Sequence, residues 1–135
     1  MPRRFEYAAS LDREGRLLAG DGSPLEPGDD WTPEHLVLAG LMRCTLKSLT
    51  FHAERRSISV RGGAAAEAVV TKREEDGRYA FAEVECGLDV ELEPLPEGEA
   101  LTELLGLAER DCFVGASLTV APRYEWRVNA ALVRR

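Results

Sequence analysis

The sequence predicts an α+β domain with mainly antiparallel pairing, and three observations carry that prediction. The sequence predicts one long helix from Pro33 to about Arg56 whose Leu36–Met42 segment bears no charge on any face, the mark of a core helix. Two long alternating segments flank Asp76-Gly77, a strong hairpin signal. The elements then follow in the order strands, helix, hairpin, helix, strand, which reads as α+β.

Each element has a local reason. Residues 3–9 and 15–20 read as strands, with turn chemistry at Glu14-Gly15 between them. Residues 19–30, rich in Gly, Pro and Asp, read as a loop. Thr32 can cap the first helix and Pro33 suits its first position, where no N–H is needed; the helix is predicted to run to about Arg56. In the second long strand Val84, Cys86, Leu88, Val90 and Leu92 share one face, while Glu83, Glu85, Asp89, Glu91 and Glu93 take the other. That alternation gives one core face and one wet face. A helix over Glu99–Arg110 places Leu101, Leu104, Leu105 and Ala108 at helical spacing. A short helix over Cys112–Leu118 and a final strand within 118–133 complete the chain.

The bulk properties bound the function. The 135 residues read as a single domain, 1–135, long enough to bury a core without metal or disulfide support. The net charge of −7 repels phosphate backbones, so nucleic acid is not an expected partner. No apolar run approaches the ~18 residues that span a membrane, and the N-terminus has no signal-peptide core, so a cytoplasmic protein without a membrane partner is expected. Three cysteines are an odd count and argue against a structural disulfide framework.

Cys86, on the apolar face of its strand, reads as a small buried hydrophobe. Cys112 points inward with Leu101, Leu104, Leu105 and Ala108 if the preceding helix continues, and Cys44 shares a stripe with Val37, Leu41, Ser48 and Phe51. Two inward-facing cysteines on helices that pack on one sheet can approach within disulfide range. Cys44 sits in the third turn of its helix, where the N-terminal dipole has faded, so a cation must help it ionise. Arg13 and Arg16 in "LDREGR" are both candidates, and spacing does not choose between them. His35 and His52 are available beside the thiols, yet no CxxC or HxxxH spacing appears, so no metal site is expected.

The stretches "DREGRLLAGDG", "TPEHLVLAGLMRC" and "AERDCFVGASL" resemble, in order and spacing, those of the OsmC/Ohr family of osmotically inducible and organic hydroperoxide resistance proteins. The resemblance spans essentially the whole chain. It implies antiparallel sheets packed around a long central buried helix, in an intertwined homodimer with active sites at the subunit interface. It further implies a cysteine-based peroxidase that needs no cofactor, acts on organic hydroperoxides and is regenerated by a dithiol, lipoyl-type or other. By position, Cys44 matches the peroxidatic cysteine and Cys112 the resolving one. Arg13 matches the arginine that holds the thiolate, and Glu34 the glutamate that orients it. Ten helical residues span ~15 Å, so Glu34 cannot touch Cys44 of its own chain along a straight helix; an arginine bridges part of that gap, or the partner subunit supplies Glu34.

Three departures place the chain in a divergent OsmC-like branch. "CFVG" stands where the family commonly has "CPxS", Arg43 precedes Cys44 where a small residue is usual, and the loop before Pro33 is short. Arg43 also motivates a second reading: a redox-sensing or ligand-binding protein without significant turnover, in which a bulky cation narrows the pocket or binds an anion.

Overall fold

A computed structural model describes residues 2–134, which divide into two compact units, one ending at Pro33 and one from Glu34 onward. The N-terminal unit holds a three-stranded antiparallel sheet, β1 (Ala9–Leu11), β2 (Leu17–Ala19) and β3 (Pro24–Leu25), in sequence order. Its first turn is built by Asp12. The carboxylate accepts the N–H groups of Glu14 and Arg16 at 3.0 and 2.8 Å, and the Asp12 carbonyl accepts that of Gly15. Gly15 takes φ +84°, a conformation glycine adopts without a steric penalty.

The strand predicted over residues 3–9 lies elsewhere: only Ala9 of that stretch joins the ladder, which extends to Leu11. Alternation makes a segment extended, but a strand also needs a partner, and β2 offers one to three residues only. Phe5 and Tyr7 stay 58% and 83% exposed.

The second unit holds all of α1 (Pro33–Glu54) but its first residue, followed by the hairpin β4 (Ser59–Lys72) and β5 (Tyr79–Glu93). Then come α2 (Glu99–Arg110), α3 (Phe113–Ser117), β6 (Arg123–Val128) and β7 (Ala131–Val133). The four strands form one sheet in the order β4-β5-β6-β7. Pairing is antiparallel except between β5 and β6, which run parallel from Glu85↔Arg123 to Val90↔Val128. The sequence reading had no signal for that pair. Its cause is the crossover through α2 and α3, which brings the chain back to Glu85 so that β6 runs in the same direction as β5.

The predicted final strand is two strands. Asn129 and Ala130 take φ +49° and +68° and fold β7 back on β6. The Asn129 side chain fixes this turn: its Oδ1 accepts from the Leu92 N–H at 2.8 Å and its Nδ2 donates to the Leu92 carbonyl at 3.1 Å. Asparagine tolerates positive φ better than most residues, which suits position 129, while Ala130 holds the same region without that advantage.

The core lies between this sheet and the helices. Val84, Cys86, Leu88, Val90 and Leu92 of β5 and Trp126 and Val128 of β6 face inward, as alternation predicts. Against them pack Leu41, Leu49 and Ala53 of α1 and Leu104, Leu105 and Ala108 of α2. Trp126 keeps its indole N–H satisfied by donating to Glu109 at 2.8 Å. The buried stripe of α1 runs through Leu41, Thr45, Ser48, Leu49 and Ala53, so it lies to one side of the predicted Val37–Phe51 stripe; Phe51 is 57% exposed. The uncharged segment Leu36–Gly40 is half-buried.

Gly62 in β4 is a close-approach position. A Cβ there would stand 2.3 Å from the Asp89 carbonyl oxygen and 2.7 Å from the Val90 Cα, both backbone, whereas at Gly63 nothing lies within 4 Å. Gly62→Ala is expected to lose roughly 1–3 kcal/mol in urea unfolding, while Gly63→Ala stays near wild type.

Candidate functional site

The two helices of interest meet at their thiols. α1 turns Leu41 and Thr45 fully into the core and leaves Cys44 half-buried at the margin of that stripe, toward α3. A Cβ on Gly40, one turn earlier, would meet Val114 at 4.0 Å, an ordinary contact distance, so α3 packs beside this part of α1. The Cys44 thiol interacts with the Cys112 thiol and with the backbone N–H groups of Val114 and Phe113. Burial is the largest influence on its ionisation and pushes its pKa up; the two N–H groups oppose this, and the neighbouring Cys112 sulfur adds to it.

Cys112 is fully buried and begins α3. α2 stops at Arg110, as its spacing predicts, and a turn separates it from α3; the Cys112 side chain faces inward without the helix continuing to it. The turn lets Cys112 Sγ act as the α3 cap, accepting the Gly115 N–H at 3.4 Å. Thr45 Oγ1 lies 3.3 Å from the same sulfur, and the Leu41 carbonyl 4.0 Å from it. From β6, the Tyr124 hydroxyl interacts with Thr45 and Cys112, and burial pushes its pKa well up. Gly115 makes room for that ring: a Cβ on it would stand 2.8 Å from the Tyr124 hydroxyl. Cys86 lies behind, its pKa pushed up to about 11 by burial and then by Cys112. All three thiols are free.

Of the four residues predicted for the site, the fold brings Cys44 and Cys112 together. Glu34 sits exposed in the first turn of α1, ten residues and ~15 Å along the helix from Cys44. Arg13 lies in the N-terminal unit, exposed in the turn after Asp12. In that turn Arg16 is committed to Asp12 by a 2.7 Å ion pair, and no hydrogen bond or ion pair among the described residues engages Arg13. The sequence reading did not single out Thr45, Tyr124 or Gly115. A faint signal existed for Thr45, a polar residue on the buried Leu41–Leu49 stripe. None existed for Tyr124, which only sheet pairing brings near.

A family model for OsmC-like proteins matches residues 26–127 of the chain. The chain belongs to the OsmC-like family. Solved structures share its fold. An OsmC-like protein of unknown function from Vibrio cholerae superposes with a TM-score of 0.72 at 16% identity, covering 91% of this chain and 99% of its own. An OsmC-like protein from Mycoplasma pneumoniae gives 0.70 at 16% identity, covering 95% and 99%. The organic hydroperoxide resistance protein OhrB of Bacillus subtilis gives 0.56 at 22% identity, covering 90% and 96%. No curated protein matches significantly. Among the described residues, no helix of this OsmC-like protein is long and apolar enough to cross a membrane.

The turn that aims Cys112 is tied to α1 by Asp111, whose carboxylate meets His52 Nε2 at 2.7 Å and Arg110 Nε at 2.9 Å. The Arg110 hydrogen bond, and after it that of His52, hold the Asp111 pKa below its ordinary 3.8. A carboxylate with a depressed folded pKa stabilises the fold above its unfolded pKa and loses that contribution as the pH falls through the folded value. Asp111→Asn is therefore expected to cost about 1 kcal/mol or less at pH 7, the range of partly exposed pairs. Thermal melts should show the gap from wild type closing below pH 3.8.

Proposed function

We propose that this protein is a thiol-dependent peroxidase that reduces organic hydroperoxides, with Cys44 as the peroxidatic cysteine and Cys112 as the resolving one. The observation that carries the reading is the meeting of those two thiols, from two separate helices, against the backbone N–H groups of α3. Membership of the OsmC-like family, with organic hydroperoxide resistance proteins among the fold's neighbours, supports it.

The chemistry follows from the groups present. The Cys44 thiolate attacks the terminal peroxide oxygen; an S–O bond forms, the O–O bond breaks, and the alkoxide leaves as the alcohol after taking up a proton. Cys44 becomes a sulfenic acid. Cys112 then condenses with it, releasing water and leaving a disulfide, which an external dithiol of lipoyl or similar type reduces. Sulfur alone carries both electrons, and no cofactor takes part. The apolar flank of Cys44, where Gly40 and Val114 meet, favours a substrate with a hydrocarbon tail to bury.

A buried thiol needs help to ionise. Arg13 is the cation in this reading, since its guanidinium is uncommitted within its turn while Arg16 is tied to Asp12; Glu34 orients it. The protein works as a cytoplasmic homodimer. Support for the dimer comes from α1, whose uncharged Leu36–Gly40 segment is only half-buried within one chain, and from Phe113, the residue after Cys112, which is 56% exposed.

One observation favours a second reading, an OsmC-like redox-sensing or ligand-binding protein without significant turnover: burial pushes the Cys44 pKa up, away from the reactive range.

A coupled assay with cumene hydroperoxide and dihydrolipoamide separates the two. Turnover is expected in wild type and its loss in Cys44→Ser, with Arg13→Ala slowing sulfenic acid formation at least about tenfold and Arg16→Ala changing little. No turnover, together with a Cys44 pKa above the ordinary thiol value that Arg13→Ala leaves unmoved, would establish the second reading. Light scattering on the purified protein should give twice the 14.9 kDa chain mass; a monomer would remove the interfacial site.

A further inference from the structure

The residue after the peroxidatic cysteine reaches the other thiol. Thr45 is fully buried, with Oγ1 2.9 Å from the Leu41 carbonyl and 3.3 Å from Cys112 Sγ. A hydroxyl has one proton to give, so it cannot donate to both. With Cys112 as a thiol, Thr45 donates to the Leu41 carbonyl and accepts the S–H. With Cys112 as a thiolate, the sulfur offers only lone pairs, and the hydroxyl turns to donate to it. The turn orphans nothing, because the Leu41 carbonyl keeps the Thr45 backbone N–H along the helix ladder. The Gly115 N–H points at Sγ in either state.

We propose that Thr45 is a positioning residue for the resolving step, its hydroxyl swinging from the Leu41 carbonyl to Cys112 Sγ to hold the attacking thiolate. The proposal rests on the reading of Cys44 as the peroxidatic cysteine and deepens it. In the step, the Cys112 thiolate attacks the sulfenic sulfur of Cys44. The S–S bond forms, the S–O bond breaks, and the departing hydroxide takes up a proton, equivalent to the one Cys112 released, to leave as water. Cys112 is oxidised and the sulfenic acid reduced, so no further reagent enters.

The position explains why a hydroxyl is needed. The titratable groups that face Cys112 are Cys44 from α1, Cys86 from β5 and Tyr124 from β6, and none of them is a cation. Asp111, next in the chain, is turned to Arg110 and His52. Hydrogen bonds are thus the means by which this pocket stabilises a negative sulfur. Thr45 and Gly115 supply two of them.

Two measurements on the full chain test this. In a Cys44→Ser, Cys86→Ser background, the Cβ chemical shift of Cys112 is followed against pH. Thr45→Val, which keeps the shape and removes the hydroxyl, is expected to hold the Cys112 proton about tenfold more tightly, the size of one hydrogen bond to a charged group; Thr45→Ser restores the wild-type titration. In the otherwise native chain treated with cumene hydroperoxide, Thr45→Val should form dimedone-trappable Cys44 sulfenic acid at the wild-type rate and close the disulfide about tenfold more slowly. If the valine variant does not fold, Thr45→Ala serves in both measurements. A Cys112 titration or a disulfide-closing rate that Thr45→Val leaves unchanged overturns the Thr45 role alone. A wild-type chain that forms no Cys44 sulfenic acid overturns the peroxidase reading and takes the resolving step with it.

Discussion

Cys112 sits where three requirements coincide, and the rest of the site depends on that placement. It is buried against Leu41 and Thr45 of α1, it caps α3 through the Gly115 N–H, and its sulfur neighbours that of Cys44. A single side chain therefore joins the core, the start of a short helix and the second thiol. α3 has only five residues, too few to be stable without outside support, so its cap and its packing on α1 are what hold it. Because α3 is held there, the Phe113 and Val114 N–H groups face Cys44.

The surroundings of this sulfur pair push its ionisation in opposite directions. Burial favours the neutral thiol at Cys44 and again at Cys86, while the backbone N–H groups favour the thiolate. In a pocket of this kind dipoles work at short range and with little screening, but a net cation is stronger. Within the N-terminal turn, Asp12 engages Arg16 in a 2.7 Å ion pair and leaves Arg13 exposed.

Support for the geometry comes from outside the pocket as well. The Asp111 carboxylate ties the turn before Cys112 to His52 on α1, and Glu109, two residues earlier, receives the Trp126 indole from β6. The segment leading to the second thiol is thus pinned to the helix on one side and to the sheet on the other.

Much of this was legible in the sequence. Alternation through β5 gave the core face and placed Cys86 in it, because a strand with one wet face must repeat every two residues. Helical spacing gave α1 and α2, and the Asp76-Gly77 turn gave the hairpin. The motif spacing around Cys44 and Cys112 identified the family, which the match over residues 26–127 establishes. Tertiary structure decided the rest. Whether a strand pairs parallel or antiparallel depends on the path of the crossover, and the β5–β6 pair follows from where α3 ends. The true buried stripe of α1 depends on which neighbours cover it, so periodicity placed Phe51 inside and the packing left it out. The ring of Thr45, Tyr124 and Gly115 around Cys112 joins α1, β6 and α3 across the core. Such contacts arise only when separate elements are packed together, and no local spacing in the chain encodes them.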